Sequence, residues 1–396
     1  MISAPQGFKF AGVQCGIKPG SSKLDVSLIT SDRPATAAGV YTQNLVFAAP
    51  VAWDRALTPA SDIRAVVVNS GNANACTGER GLADARQMAT LAAEACGAQA
   101  EQALVMSTGV IGVFMPMERA AVGIRAAAQQ LAANEDAVVA AARGMMTTDT
   151  VHKLSGRTIS LGGRTITLLG MCKGAAMIGP NMATLLGVVL TDAALEPAAA
   201  QQILGEVADE TFNCISVEGH TSTNDTLLLV ANGAAGGAKL TGADLAKFQQ
   251  ALGEVCGELS RAIPADGEGV THLVELEVHG CRTLHEARTI ARSVANSALV
   301  KTAIHGADPN WGRIVSAAGY AGIPFNPAKV DLHVNGFLLY QQGAPVAFDA
   351  QTVSASIRDN RNTHVVLRFG EGSASCRFWT TDLTAEYVRL NADYTT

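Results

Sequence analysis

The chain has 396 residues, 48% hydrophobic and only 16% charged, a balance that excludes a disordered protein and calls for a compact, well-buried one. A net charge of −6 with no lysine/arginine run excludes the electrostatic footprint of a nucleic-acid or anionic-membrane binder. The length exceeds what one hydrophobic core usually organises, so two or three core units are expected.

Met1–Gly12 lacks the basic-then-apolar order of a signal peptide, and no apolar stretch reaches the length of a membrane span, so a cytoplasmic location is expected. Strands are predicted in "AGVYTQNLVFAAPVAW" and "IRAVVVNSG", which are rich in Val, Tyr and Phe and end in turn residues. "LADARQMATLAAEAC" carries apolar residues at helical spacing, and "MPMERAAVGIRAAAQQLAAN" follows as a helix with Pro116 in its first turn. "RTISLGGRTITLLG" reads as a hairpin, Arg157–Leu161 and Arg164–Leu169 around Gly162-Gly163.

The apolar run after Thr184 reads as a buried strand, followed by a helix over Pro197–Glu210 and a polar loop, "EGHTSTND". "TGADLAKFQQALGEVCGELSRAI" is an amphipathic helix with Thr241 as its cap. The last third predicts a helix from Thr283, a hairpin at Asn335-Gly336, and strands near Thr363–Gly370 and Ala374–Trp379. Strands and helices mix without a strict βαβ repeat, so the fold class is α/β with a mixed sheet and layered helices.

Several chemistries find no motif. "GIKPGSSK" is not a phosphate-binding GxxxxGK[ST], and no GxGxxG follows a strand. The eight histidines are dispersed with no HExxH, and no GxSxG elbow exists. Eight scattered cysteines without a CxxC pair argue against structural zinc or a disulfide framework and for reduced, mostly buried thiols. What remains is a set of Thr/Gly/Asn stretches, "NSGNANACTG", "MSTGVIG", "MTTDT", "TSTNDT", "DPNWGR" and a closing "YTT", each of which alone is most often only a turn.

Thr184, in "GPNMATLLGVVLTDA", has two readings: an ordinary strand threonine, or a nucleophile unmasked by cleavage after Ala183. A freed α-amine titrates at about 7.7–8.0, so it could deprotonate its own hydroxyl with no histidine partner. Ala183 is small and would leave its carbonyl open to attack by that hydroxyl.

The segment "GMCKGAAMIGPNMATLLGVVLTDA", with the other motifs in the same order over essentially the whole chain, resembles the ornithine acetyltransferase (glutamate N-acetyltransferase) family. The resemblance implies a self-cleaving acyltransferase of the N-terminal-nucleophile kind, with an α fragment of residues 1–183 and a β fragment of residues 184–396. Thr184 matches the family's nucleophile, and Thr108 with Gly109 the oxyanion pair. Thr150, Lys173, Glu268, Asn391 and Thr396 match substrate-contacting positions. Lys173 would suit a substrate carboxylate, and Glu268 an amine or a proton relay.

The implied reaction is ping-pong acetyl transfer from N2-acetyl-L-ornithine to L-glutamate, with no metal or organic cofactor, in an α2β2 assembly. The family holds both bifunctional members, which also use acetyl-CoA, and monofunctional ones. Glu218-Gly219-His220 stands where Asp-Gly-Asp is common, and His272 where a lysine is common, so both histidines are expected to alter charge near the pocket. Two other readings remain at this stage: an amidase or aminopeptidase passing the acyl group to water through the same Thr184, and a binding protein in which Thr184 is structural.

Overall fold

The structure is a computed structural model that describes residues 3–179 and 185–393. Its first sheet has eight strands. These are β1 (Phe8–Val13), β2 (Val26–Tyr41), β3 (Ala60–Asn72), β4 (Ala103–Val110), β5 (Lys153–Leu161), β6 (Arg164–Lys173), β7 (Leu186–Thr191) and β8 (Thr226–Ala231). Their spatial order is β4-β3-β2-β8-β7-β6-β5, with β1 beside β2. The β3–β4 and β7–β8 pairs are parallel and the others antiparallel, so the sheet is mixed, as the sequence predicts.

All six residues of β7 and all six of β8 are buried. This is the pattern of strands covered on both faces. Helices α1 (Ala49–Leu57), α2 (Gly78–Glu94), α3 (Met117–Gln129), α4 (Glu135–Met145), α5 (Pro197–Glu210) and α6 (Gly242–Ala265) supply that cover. Phe248, Leu252, Val255, Leu259 and Ile263 of α6 meet Leu168, Val189, Leu227 and Leu229 on one face. On the other, Val138, Ala141 and Met145 of α4 meet Met171, Val188, Leu190 and Leu228. Each such side chain contributes roughly 1.5–3 kcal/mol by leaving water.

A six-stranded second sheet comes entirely from the last third of the chain. Its strands are β9 (Leu273–Cys281), β10 (Asp331–Val334), β11 (Phe337–Gln341), β12 (Ala344–Pro345), β13 (Asn362–Arg368) and β14 (Ala374–Thr381), in the order β12-β11-β10-β13-β9-β14. It packs with α7 (Leu284–Ala295), α8 (Ala298–His305), α9 (Trp311–Gly319) and α10 (Ala350–Arg358) in a separate core. A last helix, α11 (Ala385–Asp393), follows β14. Among the described residues no helix is long and apolar enough to cross a membrane.

The hairpin at Gly162-Gly163 is in the predicted register, Leu161 opposite Arg164, and both glycines have positive φ, as a two-residue primed turn requires. Three local expectations need correcting. In "AGVYTQNLVFAAPVAW" the strand stops at Tyr41, and Ala49–Leu57 is helical with Pro50 in its first turn. Pro116 occupies the N-cap of α3 rather than its first turn. Thr241 sits at the N-cap of α6, but its hydroxyl makes no capping bond.

Strands from both sides of residues 180–184 alternate in one sheet. β8 lies against β2 and β7 against β6, with Lys173 paired to Leu186.

Candidate active site

The strand ends place the site. β3 and β4 run parallel, with Ser70 opposite Thr108 and Gly71 opposite Gly109. Gly109 has φ +135°, and a Cβ there would stand 2.3 Å from the Gly71 carbonyl carbon, so only glycine fits between the two strand ends. The "NSGNANACTG" stretch builds the surrounding loops with its own amides. Asn69 Nδ2 donates to the Asn72 carbonyl at 2.8 Å, and Asn74 Nδ2 to the Gly81 carbonyl at 2.9 Å. From "TSTNDT", Asn224 Nδ2 reaches the Ala73 carbonyl at 2.6 Å and the Ser107 carbonyl at 2.8 Å. Asn224 thereby pins its loop to the ends of β3 and β4.

Lys173 ends β6. It is 3% exposed, and its Nζ donates to Thr108 Oγ1 at 3.2 Å. Burial pulls its pKa down, against the opposing pull of Asp149. Asp149 is itself buried, which would raise its carboxyl, but the Lys173 and Lys153 ammonium groups hold it down at about 2. Asp149 accepts from Lys153 Nζ and from the Gly174 amide, both at 2.7 Å, and Lys153 Nζ also reaches Asp266 at 2.6 Å.

Thr108, Gly109, Lys173, Glu268 and Asn391 all line one cavity of about 230 Å³. Asn391, on α11, donates to Glu268 Oε2 at 3.0 Å, and the Glu268 amide donates to the Ala175 carbonyl at 3.0 Å. Five residues from four distant stretches thus converge on one wall system. Thr150 is not among the lining residues. Its hydroxyl donates to Asp266 and its amide to the same carboxylate at 3.1 Å, while Thr147 and Thr148 of the same "MTTDT" stretch line the cavity. Ala183, Thr184 and Thr396 lie outside the described residues. The described chain stops at Gly179, whose own Cβ position would be 2.5 Å from the Gly219 carbonyl carbon, and resumes at Leu185, whose carbonyl accepts from the Thr226 amide at 3.0 Å.

Of the two unusual histidines, His220 lines the cavity but His272 does not. His272 instead sits against Asp382 at 3.5 Å, with its Nε2 3.2 Å from the Ile357 carbonyl, so its charge serves that buried carboxylate rather than the cavity. Sequence reasoning missed Tyr387 and did not assign Glu218 a role. Glu218 lines the cavity, its Oε2 has no hydrogen-bond partner among the described residues, and burial pushes its carboxyl up to about 7. Tyr387 is pushed up to about 12 by burial and by Glu218 and Glu268. The departure at Glu218 from the common Asp-Gly-Asp was the signal that could have marked it.

Among the described residues one His/Cys/Asp/Glu group is tight enough to hold a metal ion: Glu275, Glu277 and His364. It lies on β9 and β13, outside the cavity, and Arg377 already pairs with both carboxylates at 3.1 and 3.4 Å. The cavity therefore offers hydroxyl, amide, ammonium and carboxylate groups, a set suited to acyl chemistry on a small polar substrate.

Comparison with known proteins agrees with that chemistry. The ArgJ family model matches residues 9–396. The arginine biosynthesis bifunctional protein ArgJ of Rhodopirellula baltica is 48% identical over 395 residues, covering 99% of this chain and 96% of the relative. The protein of the same name from Symbiobacterium thermophilum is 47% identical over 399 residues, covering 100% of this chain and 98% of its own. Among solved structures, the arginine biosynthesis bifunctional protein argJ of Bacillus halodurans matches with 38% identity and a TM-score of 0.50, over 51% of this chain and 96% of the solved one. The chain belongs to the ArgJ family.

Proposed function

We propose that this chain is a glutamate N-acetyltransferase of arginine biosynthesis that moves the acetyl group of N2-acetyl-L-ornithine to L-glutamate through an acetyl-Thr184 ester. The observation that carries the reading is the convergence of Thr108, Gly109, Lys173, Glu268 and Asn391 on one cavity in a chain of this family. The names of the relatives support the pathway.

Maturation is self-catalysed. Thr184 Oγ1 attacks the Ala183 carbonyl, the peptide C–N bond breaks to leave an ester, and water hydrolyses that ester to free the Thr184 α-amine. In transfer, this amine takes the hydroxyl proton while Oγ1 attacks the acetyl carbonyl. The oxyanion is met by Thr108 and the Gly109 amide. Lys173 supports this role because an ammonium can only donate. By donating to Thr108 Oγ1, it leaves the threonine proton free to point at the developing charge. Collapse expels the ornithine α-amine, which takes the proton back. Glutamate then enters, its amine attacks the ester, and N-acetylglutamate leaves. Lys173 holds the substrate carboxylate, and Glu268 with Asn391 holds the amino end. We assign Thr150 to positioning, through Asp266, and Thr396 to the same substrate pocket.

The two fragments remain associated through the β6–β7 and β2–β8 pairings and pair again as α2β2. Because the relatives are named bifunctional, acetyl-CoA is included as a second donor. The test combines intact mass with product analysis. Active protein should show two fragments, Thr184→Ala one uncut chain, and labelled acetylornithine should yield labelled N-acetylglutamate only when glutamate is present. Labelled free acetate as the sole product would replace the transferase with an amidase. An unbroken chain in fully active material would remove the proposed nucleophile.

A further inference from the structure

Away from the cavity just described, two thiols meet that no step of the proposed chemistry uses. Cys214 closes a short helical turn, Phe212–Cys214, after α5, and Cys376 lies on β14. Their sulfurs are 3.9 Å apart and both residues are buried. No other sulfur pair comes within hydrogen-bonding reach among the described residues. Both line a second, open cavity of about 540 Å³, with Arg261, Arg377 and Trp379 in its wall, so a small solute has a route to the pair.

The two sulfurs are unequal. Cys214 is held below an ordinary thiol by its contact with Cys376, in which either sulfur can donate, and by the Arg288 guanidinium on α7, against burial and the Asp209 carboxylate, while its own thiol reaches the Asp209 carbonyl at 3.3 Å. Cys376 is pushed well up by the Cys214 contact and by burial, with Cys281 of β9 adding to the rise and Arg288 opposing it. A thiolate attacks and a neighbouring thiol resolves when the two sulfurs stand in this relation.

We propose that Cys214 and Cys376 form a reversible dithiol–disulfide site, with Cys214 attacking and Cys376 resolving, and a low-molecular-weight disulfide such as oxidised glutathione as the oxidant. Cys214 thiolate attacks one sulfur of the oxidant, whose S–S bond breaks to release one thiolate. Cys376, losing its proton, then attacks Cys214 Sγ in the mixed disulfide and releases the second. Two protein thiols are oxidised and one small disulfide is reduced to two thiols.

The link would join two segments that lead into the candidate site. Cys214 continues through Glu218 to Asn224, and β14 continues through Thr381 to Tyr387 and Asn391. They already touch where the Ser216 amide donates to the Trp379 carbonyl at 2.9 Å. Drawing the sulfurs from 3.9 Å to the bonded length of about 2 Å pulls these walls together.

The test uses the native full chain equilibrated at graded ratios of reduced to oxidised glutathione, alkylated, then read by intact mass and peptide mapping. The expected result is an intact mass lacking two alkyl groups and two hydrogens relative to the fully reduced, alkylated protein, with one linked peptide pair holding Cys214 and Cys376 and the other thiols alkylated. Cys376→Ser should keep a glutathione adduct on Cys214, whereas Cys214→Ser should keep none on Cys376. Absence of the linked pair at every ratio, or linkage spread over other cysteines, overturns the site. An adduct on Cys376 in Cys214→Ser overturns the assignment of roles. Acetyl exchange in the same samples should fall at least about threefold on oxidation and return with dithiothreitol. Unchanged exchange in fully linked protein overturns the coupling to the candidate site. Because the thiol chemistry is read by mass alone, its failure is separable from failure of the transferase reading.

Discussion

Thr108 receives one bond from Lys173 and, in the proposed mechanism, directs another at the substrate, so its removal should be felt more in turnover than in folding. Thr108→Val keeps the shape and deletes the hydroxyl; kcat should drop by roughly 10²–10³, measured as acetylornithine–glutamate exchange, with the melting temperature little changed. An equal loss of folded protein would assign Thr108 to structure instead. Glu218 makes a separate prediction. Its folded pKa of about 7 lies above the unfolded carboxylate value of about 4.3, so the native state holds the extra proton. Stability is therefore highest below the unfolded pKa and is lost as pH rises through about 7. Glu218→Gln removes that titration. It should gain on the parent by roughly 1–3 kcal/mol at pH 8 and not at pH 4, read from urea midpoints. Lys301, lowered to about 7 by burial against the opposing pull of Asp382 and Glu218, loses the Glu218 charge in that variant and should titrate lower still.

At the scale of elements, the double-faced burial of β7 and β8 dictates where the protein is least tolerant. Leu229 is fully buried among residues of α5 and α6, and Leu229→Ala should cost about 2–5 kcal/mol, measured by guanidinium unfolding of the Thr184→Ala background, both chains at one concentration, so that parting of the proposed fragments does not enter the comparison. A cost below about 1 kcal/mol would mean the sheet collapses around the gap. Period and turn chemistry made much of this legible in sequence. The Gly162-Gly163 hairpin and the helix Pro197–Glu210 could be read because local residues alone decide them. The helix Ala49–Leu57 could not, since its short apolar run fits a strand equally well and packing of Val51 against Ala73 and Ala75 settles it. In the same way Thr150 and Thr147 are indistinguishable as letters. Which of them faces the cavity depends on Asp266, far along the chain. For Lys173, the position between Cys172 and Gly174 in an apolar segment argues in sequence only against full solvation; its burial at the end of β6 is a finding of the structure.

For the whole molecule, the interleaved sheet order predicts that the two fragments of the proposed cleavage elute together in native size exclusion and part only in denaturant. Independent elution under native conditions would contradict the β6–β7 and β2–β8 pairings. The same strand exchange changes what kind of equilibrium unfolding is. Within one unit, the strands of an intact chain stay tethered whatever the dilution. A molecule whose central strands belong to a separate piece must find that piece again in solution, so its midpoint should climb with protein concentration. Each tenfold increase adds about 1.4 kcal/mol toward the folded side. Dilution would then favour parting of the two pieces of a cleaved enzyme, a loss that its uncut precursor cannot suffer.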